Sequence, residues 1–174
     1  MEDIQTVHKQ EGTNAVKSTF QIIVFRLEEE EYALSIDQIK EVVITPSIAR
    51  IPLTQSYIKG VGNIRGNVLA IMDLADKFGI STEKNITSGT HKYTLVVASD
   101  EYKMGILVKD VPQTLRVTKD DIDESPAIVQ SATLESNYIK GIIKSGNRII
   151  VLIDIFKVIS KEEQNLLART TDKL

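Results

Sequence analysis

Short apolar segments separated by polar turns run through most of the chain. The first, Thr19–Leu27 (TFQIIVFRL), is rich in β-branched and aromatic residues and has the length of a strand. An acidic turn at 28–31 and a second apolar run at 32–36 predict a hairpin. Residues 39–45 (IKEVVIT) predict the next strand, after which two prolines at 46 and 52 predict an exposed loop.

One stretch occurs twice. Residues 57–79 read YIKGVGNIRGNVLAIMDLADKFG, and residues 138–160 read YIKGIIKSGNRIIVLIDIFKVIS. The glycines Gly60 and Gly141 align, and so do Asp73 and Asp154. We therefore predict two related halves, at about 19–88 and 89–160. The first copy has NIRG (63–66) where the second has KSGN, and this difference is where we look for function.

Within the first copy, residues 61–74 predict two strands around a tight turn at 65–67. The second of these strands, at 68–72, is apolar without alternation, which predicts that both of its faces are covered. A helical turn is predicted at 54–59, ended by Gly60, and another at 74–78, closed by Gly79. The polar stretch 80–90 is the predicted connection between the halves.

The second half repeats this order of elements. Strands are predicted at 93–98, 102–108, 111–117, 141–146 and 148–154, with a long polar connection at 118–136. Ser160 and Glu163 form a capping-box pattern that predicts a helix to about Arg169, within a C-terminal segment 161–174. Residues 1–18 are polar, and we predict a mobile arm there.

Many short strands, glycine turns and one terminal helix predict an all-β protein of the barrel or sandwich class. Each half is too small to bury much apolar surface alone, so we expect the two to pack together. Sequence repeats need not coincide with sheets, and strand exchange between the lobes stays open.

Composition narrows the functional classes. The 174 residues are 42% hydrophobic, carry a net charge of −3 and include no cysteine, which excludes disulfides and thiolate chemistry. The polar N-terminus has no signal-peptide pattern, and no apolar run approaches the ~20 residues of a membrane helix. We therefore expect a cytoplasmic protein.

The chain has few residues that could form a catalytic site. The two histidines, His8 and His91, lie in the predicted arm and at a strand entrance, so they offer no dyad and no metal cluster. Asp73 and Asp154 could be paired carboxylates, but their repeated position at strand ends favours a capping role. We expect no catalytic residue, metal or cofactor. The chain has no tryptophan, and its charge balance indicates no basic stripe, which disfavours nucleic-acid binding.

Arg65 and Glu41 are the two side chains with open interpretations. Arg65 follows Asn63, whose side chain can bond to the turn backbone, and precedes Gly66. It is either a solvated surface arginine or a rigidly presented cation for a partner. Alternation along the strand puts Glu41 on one face with Ile39 and Val43. Either Glu41 points into solvent past an edge, or that face is a contact surface.

With these residues described, the chain resembles the CheW family of bacterial chemotaxis coupling proteins over about residues 18–168. The matching pieces in the first half are Phe20 to Phe25, Glu31-Tyr32-Ala33-Leu34, Ile39-Lys40-Glu41-Val42, Arg50-Ile51-Pro52, Tyr57-Ile58-Lys59-Gly60-Val61, Asn63-Ile64-Arg65-Gly66 and Met72-Asp73-Leu74. In the second half they are Gly105-Ile106-Leu107-Val108 with Val111, Tyr138 with Gly141, and Ile153-Asp154.

The resemblance implies two SH3-like five-stranded barrels packed side by side and no catalytic activity. It also implies an adaptor that links the cytoplasmic tips of chemoreceptors (methyl-accepting chemotaxis proteins) to the regulatory domain of the histidine kinase CheA. Such an adaptor is recruited to membrane-associated receptor arrays and self-associates weakly there. The positions that the resemblance and the turn assign to receptor binding are Ile39, Glu41, Gly60, Asn63, Arg65 and Gly66. The resemblance places the receptor contact in a groove between the lobes, and Tyr93 and Thr114 stand where an aliphatic residue of this groove is expected. The alternative is a double barrel that binds a small ligand or nucleic acid.

Overall fold

The computed structural model describes residues 17–82, 91–124 and 137–172. Predictions for the N-terminal arm, for most of the 80–90 connection and for the latter part of the 118–136 connection therefore lie outside the described residues. The strands are β1 (Thr19–Leu27), β2 (Glu30–Ser35), β3 (Ile39–Ile44), β4 (Ile48–Ala49), β5 (Ile58–Ile64), β6 (Asn67–Met72), β7 (Tyr93–Ala98), β8 (Lys103–Val108), β9 (Gln113–Thr118), β10 (Ile122–Asp123), β11 (Ile139–Ser145) and β12 (Arg148–Ile153). The helices are α1 (Leu74–Lys77), α2 (Ile155–Val158) and α3 (Lys161–Asp172), with 3-10 turns at Ile36–Gln38 and Lys119–Asp121.

In the described residues the strands form two six-stranded sheets. We call the sheet with order β3-β7-β8-β6-β5-β4 the first lobe and the sheet with order β10-β11-β12-β2-β1-β9 the second lobe. The predicted two-lobed, all-β fold is confirmed. Each sheet has one strand more than the five that the resemblance implied. The reason is that a two-residue strand, β4 or β10, pairs at one edge.

The sheets do not follow the sequence halves. The first lobe is the continuous run from β3 to β8, and the second lobe combines β1 and β2 with β9 to β12. The opening hairpin of each half therefore lies in the sheet of the other half. Hairpin β1–β2 joins the second lobe through the parallel pair β12 with β2, and hairpin β7–β8 joins the first lobe through the parallel pair β6 with β8. The lobe boundaries in space thus lie near residues 39 and 108, and not at the predicted boundary near residue 88.

Strand β6 shows why the two lobes need each other. Leu69 and Ile71 point into the inner core of the first lobe. Ala70 and Met72, on the other face, join a larger cluster that also contains buried residues of β1, β2 and α2. The prediction that both faces of this strand are covered is confirmed. One apolar core therefore continues from lobe to lobe.

The repeated aspartates cap short helices. Asp73 is buried, and its Oδ1 accepts the backbone N–H groups of Ala75 and Asp76. Asp154 accepts the backbone N–H of Phe156 at 3.0 Å, at the equivalent end of the second copy. The capping role that the duplication favoured is confirmed for both carboxylates, each of which satisfies amides at a helix start.

The segment at 54–59 departs from its prediction. It does not form a helical turn, because strand β5 already begins at Ile58 and pairs there with Met72. Gly60 lies inside this strand at a register shift, with φ of 142°. A short strand, β4, also lies in the loop between the two prolines, where no strand was predicted.

The C-terminal helix α3 is anchored by one carboxylate. Glu163 accepts the backbone N–H of Ser160 at 2.7 Å, and Ser160 Oγ accepts the N–H of Glu163, as the capping-box pattern predicted. Glu163 also pairs with Lys77 Nζ at 2.8 Å and accepts the hydroxyl of Tyr57. Burial and this hydrogen bond raise the pKa of Tyr57 to about 12.

These bonds predict a pH-dependent attachment of the helix. Burial opposes ionisation of Glu163, but the hydrogen bonds from Lys77, Tyr57 and Ser160 outweigh it and hold its pKa below the ordinary 4.5. The resulting stabilisation is present above about pH 4.5 and is lost as pH falls through the lower folded pKa. We expect Glu163→Gln to lower the free energy of unfolding at pH 7 by about 1–2 kcal/mol. In urea unfolding, the deficit should shrink at pH 3; an equal deficit at both pH values would contradict this.

Candidate functional site

A two-residue turn joins β5 to β6. Ile64 pairs with Asn67, which leaves Arg65 and Gly66 at the tip, with φ of 52° and 84°. Positive φ at both positions is the pattern of a type I′ hairpin turn, where asparagine and glycine are usual. The side chain of Asn63 accepts a hydrogen bond from the N–H of Gly66 at 2.9 Å and stabilises the turn. An arginine here is held in a conformation that its side chain disfavours, which points to a role other than folding.

Glu41 of β3 is the partner of this arginine. Its Oε2 lies 2.6 Å from Arg65 Nε. The Glu41 side chain is 22% exposed, and the Arg65 side chain is 73% exposed. Strand β3 is one edge of the first lobe and β5 lies near the other edge, so the contact shows that the sheet curls round on itself.

The ion pair contributes little to stability but holds the Arg65 side chain in one orientation. An exposed pair of this kind stabilises a fold by about 0–1 kcal/mol. In the part of the chain that the structure describes, the terminal NH2 groups of Arg65 have no protein partner, since the contact is through Nε. The guanidinium is therefore held in place by Glu41 and can still donate to a carboxylate or carbonyl of another molecule.

The other two predicted site residues lie beneath the surface. Ile39 is half-buried and packs against the shared core. Gly60 is buried, and a Cβ there would lie 2.1 Å from the carbonyl oxygen of Ala49. The structure thus brings Glu41, Arg65 and the turn residues together at the surface, and it places Ile39 and Gly60 in the framework that carries them.

The opposite face of β3 is the surface that the alternation pattern did not identify. Ile39, Glu41 and Val43 are half-buried, whereas Lys40, Val42 and Ile44 are exposed, Ile44 to 80%. Both faces of this strand carry apolar residues, so the pattern alone could not say which one turns inward. The ammonium group of Lys40 beside Lys103 lowers the pKa of Lys103 and adds positive charge to this face.

The two unusual groove positions lie on different lobes. Tyr93 pairs with Ile44 in the first lobe and packs, half-buried, against the shared core. Thr114 is exposed on β9 of the second lobe, where it pairs with Ile23. No helix of the described residues is long and apolar enough to cross a membrane.

The fold and the site together define a class: a two-lobed β protein that holds a fixed, exposed cation on a rigid hairpin turn. Comparison with known proteins identifies the family. The model of the CheW-like domain matches residues 21–163, and the chain belongs to the CheW-like family. The resemblance drawn from the motifs is confirmed.

Individual relatives cover nearly the whole chain. The chemotaxis protein CheW of Klebsiella aerogenes is 31% identical, over 96% of this chain and 96% of its own length. The chemotaxis protein CheW of Bacillus subtilis is also 31% identical, over 86% of this chain and 93% of its own. The crystal structure of the scaffolding protein TtCheW from Thermoanaerobacter tengcongensis superposes with a TM-score of 0.71 at 29% identity, covering 88% of this chain and 97% of that one.

Proposed function

We propose that this protein is a non-enzymatic chemotaxis adaptor that couples the cytoplasmic tips of chemoreceptors to the regulatory domain of the histidine kinase CheA. Family membership supports the general role of a chemotaxis scaffold. The observation that carries the specific role is the Arg65 guanidinium, held by Glu41 on a strained turn, with a side chain that is 73% exposed. The protein would act in the cytoplasm, where receptor tips recruit it to membrane-associated arrays.

The chemistry of the turn suits a helical partner. A chemoreceptor tip is a helical hairpin, and a helix surface offers carboxylates at regular spacing for a bidentate guanidinium. Arg65 would make the charged contact, with Asn63 and Gly66 holding the turn and Glu41 holding the side chain. Ile39 and Gly60 would keep β3 and β5 in place beneath this contact. In this proposal all six predicted residues serve receptor binding, but only those at the surface touch the receptor.

The direct test is a reconstitution from purified parts. The full chain is mixed with a receptor-tip fragment, with the kinase regulatory domain, and with both, and binding is followed by isothermal titration calorimetry. We expect binding to each partner alone and a ternary complex with both. Absence of binding to the receptor fragment would contradict the proposed coupling.

The same preparation tests the alternative of a ligand-binding or nucleic-acid-binding double barrel. That alternative predicts a thermal shift with oligonucleotides or small metabolites and none with receptor or kinase. A surface depression of about 440 Å³ is lined by Asp120, Asp121, Ile122, Asp123, Ile142 and Lys144. Its three aspartates would repel phosphates, so we expect no oligonucleotide shift.

A further inference from the structure

The 3-10 turn at Ile36–Gln38 is where the chain passes from one lobe to the other. Strand β2, before the turn, belongs to the second lobe, and strand β3, after it, opens the first lobe. Gln38 is only 6% exposed, although it is polar and directly precedes the strand that carries Glu41. A polar side chain is buried at this depth only when its hydrogen-bonding groups find partners.

Gln38 finds its partners on the second lobe. Its Nε2 donates to Asp154 Oδ1 at 2.9 Å. Its Oε1 accepts the backbone N–H of Ile155 at 3.3 Å. Both ends of the carboxamide are thus used on the capped start of α2, so the crossover is fixed by two bonds of opposite polarity.

The second half contains a crossover without this clamp. The chain returns to the second lobe between β8 and β9, and β9 begins at Gln113, the glutamine of this crossover. Gln113, however, is exposed, and the bonds of the equivalent aspartate, Asp73, go to backbone amides of α1. Among the described residues, the clamp therefore exists at the crossover that leads to Glu41.

We propose that Gln38 is a positioning residue for the receptor site, and that it acts by fixing the start of β3 against Asp154. The inference rests on the proposed function. Strand β3 has a register shift between Ile39 and Glu41, with Lys40 as the extra residue. A bulge is where a strand can bend or slip, so an anchor just before it determines where Glu41 lies and hence where Arg65 is held.

A nitrogen-15 NMR experiment tests the positioning without any partner. The Arg65 Nε–H cross-peak reports the ion pair with Glu41, and Glu41→Ala gives its unpaired position. We expect Gln38→Leu to move the cross-peak most of the way to that unpaired position, and Gln113→Leu to leave it unchanged. An unmoved Arg65 peak in folded Gln38→Leu overturns the inference, whether or not the protein binds receptors.

Binding supplies the second readout. We expect Gln38→Leu to bind the receptor-tip fragment about tenfold more weakly than the wild type, at a temperature where both are folded, and Gln113→Leu to bind normally. Glu163→Gln, destabilised at a distant contact, shows whether lost stability alone weakens binding. If Gln38 acts through β3, adding Gln38→Leu to Glu41→Ala causes no further loss of receptor affinity. If the fold-losses of affinity in the two single variants multiply in the double variant, Gln38 has a merely structural role. A wild type that fails to bind contradicts the proposed function, whereas a binding-competent wild type with a normal Gln38→Leu contradicts the inference.

Discussion

Gly60→Ala is expected to leave little folded protein at room temperature. The new Cβ would lie 2.1 Å from the carbonyl oxygen and 2.8 Å from the carbonyl carbon of Ala49, and the φ of 142° is one that residues with a side chain rarely adopt. The obstructing atoms are backbone atoms of β4, so they cannot move aside without breaking the pairing of β4 with β5. We expect a loss of about 4 kcal/mol or more, a large part of the 5–15 kcal/mol typical of a domain. Circular dichroism during urea unfolding measures it.

Gly66→Ala is the matched control for this prediction. Gly66 also has a positive φ, 84°, but a Cβ there would meet nothing within 4 Å. Gly66→Ala should therefore lower the free energy of unfolding only by the cost of a positive φ for a residue with a side chain, about 1–2 kcal/mol. If Gly60→Ala unfolds at the same urea concentration as Gly66→Ala, close packing does not explain the need for glycine at position 60. The comparison also separates a framework role for Gly60 from direct receptor contact.

Local features were predictable from the sequence because short-range chemistry decides them. The Arg65-Gly66 turn, the two aspartate caps and the capping box at Ser160 each depend on residues within a few positions of one another. The covered faces of β6 followed from its unbroken apolar run. Each of these features is local, and tertiary contacts did not override it.

Long-range features were not predictable. The two halves are alike, so nothing in the sequence says which sheet a hairpin such as β7 with β8 will join. The inward face of β3 depends on how the first lobe curls, and Val42 and Val43 are equally good core residues by type. Gln38 carries no local signal, because its partner, Asp154, is far along the chain and on the other lobe.

The duplication explains why one copy of the repeated stretch carries the candidate site. Both copies keep the glycine that lets a short strand approach closely, as Gly60 and Gly141 do, and both keep the capping aspartate. At the hairpin tip the second copy has Gly146, which adopts a positive φ without strain. The first copy has Arg65 there, at an energetic cost that the turn itself does not require. At this hairpin tip, therefore, the first copy alone presents an arginine.

Arg65→Glu should weaken binding of the receptor-tip fragment by roughly 30-fold or more while leaving the protein folded. Losing a charge-assisted contact to a partner costs about 2 kcal/mol or more, and each 1.4 kcal/mol is a factor of ten. Stability should fall by only about 1 kcal/mol, because the substitution replaces an exposed ion pair with two like charges and leaves the backbone strain the same. Calorimetric titration measures the affinity, and thermal unfolding checks the fold. Arg65→Lys keeps the charge but loses the planar fork, so we expect an intermediate affinity.

The charge-swapped variant, Glu41→Arg with Arg65→Glu, separates contact from support. It restores an ion pair between β3 and the turn, with the carboxylate now at the exposed position. If Arg65 only held Glu41 and closed the first lobe, the swap would restore receptor binding. If the guanidinium itself contacts the receptor, the swap regains stability relative to Arg65→Glu but still binds weakly. We expect the second result, because the Arg65 side chain is 73% exposed and its contact with Glu41 uses Nε, which leaves the terminal nitrogens able to donate to a partner.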